Sequence, residues 1–194
     1  MRTERGETMT LAEMKKKVLG LIEELNPESK VLTDDPDIEA KINSVINQIQ
    51  YELARMKKLA SYIEIPVEAG TMLTFEDIEN ESGYEVYQLD IVRGINYELK
   101  AQGTMIKVLE SGVAEVEFFR YPEGITEKTK DTYEFELSSD ALEVMPYGVA
   151  SDLLKSDVSA NYGEVYTQRY ETMLNRLDSR YSMPRISIEG GFDL

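Results

Sequence analysis

The chain has no cysteine and no histidine among its 194 residues. The first absence removes disulfides, thiolate nucleophiles and thiolate metal sites together. The second removes the usual general base and the commonest metal ligand. Any enzyme built on this sequence would have to work with carboxylates alone, as in glycoside hydrolysis. No catalytic residue, no cofactor and no metal ligand is therefore expected. Positive charge is also scarce. Against 37 Asp and Glu stand 21 Lys and Arg, a net charge of -16. Such a surface repels polyanions, and no stretch offers the basic stripe that sequence-specific DNA binding needs. No apolar run approaches the roughly 18 residues needed to cross a bilayer. The opening "MRTERGE" has no apolar h-region, so no secretory signal is expected.

What is present is enough for a packed core: 42% hydrophobic and 30% charged residues, a globular balance in one good-sized domain. Residues 1–9 are polar and read as a loose end. "TLAE" reads as a capping box, with Thr10 at the N-cap and Glu13 at N3. Leu11, Met14, Val18, Leu21, Ile22 and Leu25 follow at helical spacing. Asn26-Pro27 stops this helix, which runs from about Leu11 to Leu25. Asp35 and Pro36 suit the N-cap and N1 of a second helix, from about Pro36 to Lys58. Its apolar stripe is Ile38, Ile42, Val45, Ile46, Ile49, Leu53 and Met56. Another face holds Ala40, Asn43, Asn47, Gln50 and Ala54, small or amide-bearing and uncharged. This is either a plain solvated face or a second contact face that packs on another subunit, since amides tolerate burial when they find partners.

From Tyr62 the period changes to two. Tyr62–Glu68, Tyr84–Val92, Asn96–Ala101, Thr104–Leu109 and Ala114–Tyr121 read as antiparallel strands. "AQG" and "ESG" are expected to be hairpin turns. Alternation predicts a small sheet covered on one side. Pro122 and Gly124 end the last strand, a polar loop follows, and "TYEFEL" is a short extended piece. Pro146 fits N1 of a helix beginning near Met145, or else a kink in one beginning near Ala141; the first is the expectation. Val149, Leu153 and Leu154 form its apolar side, and Ser156-Asp157 breaks it. A last helix, about Val158 to Leu177, carries Tyr162, Tyr166, Tyr170, Met173 and Leu177 on one side. That ladder is either core or an interface. After Asp178 the pattern stops, and the remainder reads as an extended tail with a short strand at Ile186 and Ile188.

The expected fold is thus α+β: a helical bundle core from residues 10–60 and 139–178, an antiparallel β-rich insertion over 61–138, and an extended C-terminal tail over 179–194. The two helical ends must pair, because each pair alone leaves an apolar stripe uncovered. Chemistry-bearing motifs are weak. Asp34, Asp35, Asp37 and Glu39 lack the calcium-loop pattern and suit helix capping. "IEGGFD" lacks the Lys-Ser/Thr of a phosphate loop. The glutamates of "AEVEFF" and "YEFEL" read as solvated alternation.

The order of these pieces resembles the head-to-tail connector (adaptor, or head-completion) proteins of tailed bacteriophages. "LAEMKKKVLGLIEEL" and "DPDIEAKINSVINQIQYELARM" are similar to the family's first two helices, the second with its isoleucine-asparagine pair at Ile42-Asn43 and again at Ile46-Asn47. "VEFFRYPEGITEKTKDTYEFEL" looks like its strand, proline turn and polar loop. "MPYGVASDLLKSD" and "YGEVYTQRYETMLNRLD" look like its paired late helices. The resemblance covers about Leu11 to Asp178, and it lies in the order of the motifs, none of which is catalytic. It implies a virion structural protein, made in the host bacterial cytoplasm or encoded by a prophage. It implies a ring, commonly of about twelve subunits, docked under the portal protein and meeting a tail or stopper protein. DNA would pass through without specific binding, past an acidic lining. The face of Ala40, Asn43, Asn47, Gln50 and Ala54 would be the subunit interface. The tail, with Pro184, Ile186, Ile188, Gly190, Gly191 and Phe192, would add a strand to the portal or a neighbouring subunit. The alternative is an acidic protein-interaction module, a tail-assembly component or a DNA-mimic decoy, although its acids are dispersed over helices and strands alike.

Overall fold

Thr10 opens the first helix as its neighbours require. The structure, a computed structural model, describes residues 8–23, 33, 35–155 and 162–179. In it the Thr10 hydroxyl accepts from the Glu13 N–H while the Glu13 carboxylate accepts from the Thr10 N–H, the reciprocal capping box. Helix α1 is Leu11–Leu21; the expected continuation to Leu25 lies outside the described residues. Helix α2 is Pro36–Lys57, and the Asp35 carboxylate caps it by accepting from the N–H groups of Asp37 and Ile38. Of its apolar stripe, Ile42, Ile46, Ile49 and Leu53 are buried.

Helix α4, Ser139–Leu154, is the centre of the helical body and packs on α1, α2 and α5 (Tyr162–Ser179). It is buried nearly all round, from Ala141 and Leu142 through Val144, Met145 and Pro146 to Val149, Ala150 and Ser151, as a helix surrounded by others must be. This corrects the expectation of a start near Met145. The residues ahead of Pro146 are already core, so the helix begins upstream and Pro146 stands inside it. The proline costs one bond to the Leu142 carbonyl, and the burial of Ala141, Leu142, Val144, Met145 and Val149 around it offsets the loss. Antiparallel α5 lies close because Gly148 has no side chain: a Cβ there would sit 2.7 Å from the Tyr170 ring. Ser151 and Thr167 share a hydroxyl contact of 2.6 Å across the pair, and the Tyr166 hydroxyl donates to the Leu21 carbonyl at the end of α1. Tyr170 and Leu177 are buried, so this part of the tyrosine ladder is core. The beginning of the helix expected from Val158 lies outside the described residues.

The central region is not one sheet but two. Strands β1 (Ala60–Val67), β6 (Gly112–Arg120) and β3 (Val86–Arg93) form one in the order β1-β6-β3; β2 (Met72–Thr74), β5 (Met105–Val108) and β4 (Tyr97–Lys100) form the other in the order β2-β5-β4. All pairings are antiparallel. Strand β2 and helix α3 (Phe75–Ser82) went unread in the sequence, although "TFED" is itself a capping box, made here by Thr74 and Asp77. Both sheets and α3 share one core of Leu73, Ile78, Val86, Ile106, Ala114, Val116 and Phe118. "AQG" does turn β4 into β5. "ESG" does not make a hairpin, because β5 and β6 belong to different sheets. Within the first sheet the turn that follows β3 runs close against β6 at Gly94, where a Cβ would meet the Val113 carbonyl oxygen at 2.4 Å and φ is +80°, a position only glycine takes.

The α+β class is as expected. The insertion, however, ends with β6. Ile125, Phe135 and Leu137 of the following segment belong to the helical core, with Leu11, Met14, Ile46 and Met145. The "TYEFEL" piece pairs with the start of the chain: the Leu11 N–H donates to the Tyr133 carbonyl at 2.8 Å, and the Phe135 N–H to the Met9 carbonyl at 3.1 Å.

Two substitutions test this packing. Gly148→Ala is expected to destabilise the chain by about 1–3 kcal/mol, because α4 and α5 must separate or the buried Tyr170 ring must move; urea unfolding followed by circular dichroism measures it. The second concerns Asp140, whose carboxylate accepts from Lys57 Nζ at 2.5 Å. Burial pushes its pKa up, but hydrogen bonds from Lys57 and Ser138 and the Lys57 charge outweigh this and hold it below the ordinary 3.8. A carboxyl depressed in the folded state stabilises above its unfolded pKa, and that contribution is lost as pH falls through the folded value. Asp140→Asn is therefore expected to lower the melting temperature at pH 7 while narrowing its gap to the parent chain as pH drops below about 4. An equal gap at pH 7 and pH 3 would exclude this.

Candidate functional site

The uncharged face of α2 is a contact face, but the chain itself covers it. Asn43 Nδ2 donates to the Thr126 carbonyl at 3.0 Å. Asn47 Oδ1 accepts from the Ile125 N–H at 2.7 Å and from Gln50 Nε2 at 2.9 Å. Gln50, fully buried, donates its other amide hydrogen to the Glu123 carbonyl at 3.1 Å. Ala54 is fully buried, and its carbonyl accepts from the Tyr87 hydroxyl at 3.1 Å. This corrects the reading of these five residues as a subunit interface. Three amides satisfy the backbone of residues 123–126, and only Ala40 is exposed. The physical reason is plain: a segment leaving a sheet without a regular ladder must bond its N–H and C=O groups somewhere, and side-chain amides supply both a donor and an acceptor. The other predicted site, Pro184, Ile186, Ile188, Gly190, Gly191 and Phe192, lies outside the described residues.

Next to the amide face, the two cores meet through aromatic rings. Tyr51 of α2 stacks on Tyr121 at 4.6 Å between centroids. Tyr87 of β3 packs against Tyr121 at 5.0 Å and Phe119 at 6.3 Å. Arg55 lies over the Tyr121 ring at 5.3 Å, and Lys58 over Phe119 at 5.0 Å. Burial pushes the Tyr87 phenol up to about 12, with the Tyr121 phenol adding to it and Arg55 pulling back. The sequence placed these rings on alternating strands but gave no sign that they would gather at one joint.

Beside the joint, Arg120 is nearly buried and fully engaged. Its Nε donates to Ser61 Oγ at 2.8 Å, Nη1 to the Tyr121 carbonyl at 3.2 Å and Nη2 to Glu136 Oε2 at 2.5 Å. Its guanidinium lies 3.7 Å from the centroid of Tyr84. One buried arginine thereby joins β1, the end of β6, and the segment that leads back to α4. The second carboxylate oxygen of Glu136 accepts from the Glu123 N–H at 3.2 Å.

The outer face of the first sheet is acidic. Glu64 of β1 stands directly opposite Glu115 of β6, and Tyr62 opposite Glu117. Like charges facing across a ladder repel. Two contacts relieve this: Tyr62 donates to Glu64 at 2.7 Å and Arg93 of β3 pairs with Glu117 at 2.8 Å. The Tyr62 phenol is pushed up to about 12, chiefly by its hydrogen bond to Glu64, then by partial desolvation and the charges of Glu64, Glu115 and Glu117. The glutamates of "AEVEFF", read in the sequence as solvated alternation, are half-buried here and form a negative patch with the exposed Glu64. Among the described residues no group of acidic side chains is placed to hold a metal ion, and no helix is long and apolar enough to cross a membrane.

An intramolecular role for the amide face makes an expectation that a subunit interface does not. Asn47→Ala strips the acceptor from the Ile125 N–H, so the single chain should lose about 1–3 kcal/mol of stability in dilute solution, read by chemical denaturation at several protein concentrations. A loss that appeared only at concentrations where the chain self-associates would return these residues to an interface. Comparison of the chain with protein-family models and with curated proteins finds no match to either.

Proposed function

We propose that the chain is a structural subunit of a tailed-phage virion, a head-to-tail connector that assembles as a ring under the portal, extends the DNA channel and joins head to tail. The observation that carries the reading is the element order: both ends of the chain build one helical body around α4, and a β-module with its own core is inserted after α2. It agrees with the order of motifs on which the sequence's resemblance to the connector family rests. The charge distribution supports it. A conduit for DNA works best when phosphates are repelled rather than bound, and the outer face of the first sheet presents Glu64, Glu115 and Glu117, with Arg93 of β3 placed against the last two. With the amide face of α2 turned inward, the contacts of such a ring fall to other surfaces, Ala40 and the outside of the β-module among them. The role is architectural and involves no catalysis.

The test is to mix the chain with its cognate portal ring and weigh the product by mass photometry, with each component alone as control. The expected result is one added ring of subunits on the portal and a matching extra layer in negative-stain images. An intact portal that gains no mass would overturn the connector reading and favour an acidic interaction module with a basic partner.

A further inference from the structure

A cleft of about 610 Å³ opens beside the joint between the two bodies. Its walls are tyrosine rings: the Tyr51–Tyr121 stack on one side, Tyr84 and Tyr133 on the others. Glu85, Glu123, Glu134 and Glu136 also line it, and all four are exposed. No lysine or arginine is among the lining residues. Glu136 is paired with Arg120, while among the described residues Glu85, Glu123 and Glu134 are in no ion pair.

We propose that this cleft receives an arginine side chain presented by a protein partner. Charge decides the sign of the occupant. Three carboxylates in no ion pair around one opening favour a cation; the Arg120 guanidinium is already bonded to Ser61, Tyr121 and Glu136, and that of Arg55 lies over the Tyr121 ring. The walls decide its shape. Flat rings with a carboxylate at their edge suit a planar guanidinium, which stacks and donates in a fork, better than a strongly hydrated ammonium. The protein itself uses this arrangement on the same wall, where Arg120 lies 3.7 Å over Tyr84 and donates to Glu136. A bare metal ion is disfavoured because the acids stand apart around the opening and do not converge. A nucleic acid is disfavoured because its phosphates would face the rim carboxylates.

The phenols report the same field. The Tyr133 hydroxyl is pushed up to about 12, by burial first and then by Glu136 and Glu123, with Arg120 opposing. Tyr51 is raised by burial and by Glu85. Both rings are therefore neutral at pH 7 and offer their faces to a cation. The proposal goes beyond the connector reading and does not need it, since the cleft lies within one chain.

The test uses the full-length chain with 13C-labelled tyrosine rings, titrated with N-acetyl-arginine amide and followed by NMR. The rings of Tyr51, Tyr84 and Tyr133 should shift together and saturate, with a dissociation constant on the order of 1 mM, as befits one exposed cation–ring site. Tyr62, beside Glu64 on the open sheet face, is the internal reference and should move little. N-acetyl-lysine amide should bind several-fold more weakly, and N-acetyl-glutamine amide should leave the rings unmoved. Glu85 and Glu134 are both exposed, so E85Q/E134Q should melt as the parent does yet bind the arginine probe about tenfold more weakly. Three results would each overturn the proposal: no saturable shift, shifts at Tyr62 equal to those in the cleft, or unchanged affinity in E85Q/E134Q.

Discussion

Helix α2 must be buried on two sides by the same chain, and the remaining architecture answers to that requirement. One side is apolar, and α4 is the element that covers it. The other side is amide-bearing and cannot be covered by hydrocarbon without leaving buried donors and acceptors unpaired, at about 1–3 kcal/mol each. A length of backbone that lacks a ladder of its own is the natural cover. Residues 123–126 supply it, and Asn43, Asn47 and Gln50 return the hydrogen bonds that the segment cannot make in a strand. The match is partial, since the amide oxygens of Asn43 and Gln50 stay buried without a partner among the described residues. The β-module can then leave α2 and return to α4 while its exit path stays fixed to the helix it started from.

That fixed path is what lets two separate hydrophobic cores behave as one molecule. Across the joint, the ring stack of Tyr51 on Tyr121, the packing of Tyr87 and the cations of Arg55 and Lys58 over aromatic faces add contacts that are flat and directional. Aromatic pairs contribute about 0.5–1.5 kcal/mol beyond their area. Arg120 matters more for geometry than for net energy, because a buried charge gains little over an apolar substitute but is costly to leave unpaired. Its three sets of partners lie on β1, at the end of β6, and on the returning segment. A joint that moved would have to break all three.

Local chemistry in the sequence announced the helix ends well. Thr10 with Glu13, and Asp35 before Pro36, are capping signals that act within a few residues, and both form as read. The α+β class followed from the change of period at Tyr62. What the sequence did not disclose was pairing at a distance. Ile106 and Val116 alternate alike, and nothing local says that their strands lie in different sheets. The "ESG" turn has hairpin residues, yet β5 and β6 part there. Pro146 misled because its position in a helix depends on what surrounds the helix: the burial of Ala141, Leu142, Val144 and Met145 ahead of it makes an interior proline tolerable. The α2 amides were legible as a contact face from their missing charge, but the identity of the partner was not, since a neighbour and the chain's own loop offer the same backbone groups. Helix α3 is the one element that local signals did carry and that went unread, capped by Thr74 and Asp77 and closed by Gly83 in the left-handed region.

Charge links the architecture to what the molecule can meet. The few cations are placed where they join segments distant in sequence: Lys15 to Asp131, Lys57 to Asp140, Arg120 to Glu136. Two of these, Lys57 and Arg120, are nearly withdrawn from solvent. Each tie takes up one acid with one base, so the whole excess of acid, a net charge of -16, is left to the groups outside these pairs. The outer face of the first sheet and the rim of the tyrosine cleft are two results of the same placement, and they differ in form. On the sheet face the acids lie along a flat, solvent-facing ladder, with Glu64 exposed and Glu115 and Glu117 half-buried, where mobile counterions reach them, and such a face repels a polyanion at a distance. At the cleft the acids surround rings of which Tyr121 is buried and Tyr51 and Tyr133 half-buried, where screening is weaker and a single planar cation can be held. An acidic wall and a specific basic partner are therefore compatible on one chain, because the first depends on charge spread over an open face and the second on charge gathered around rings.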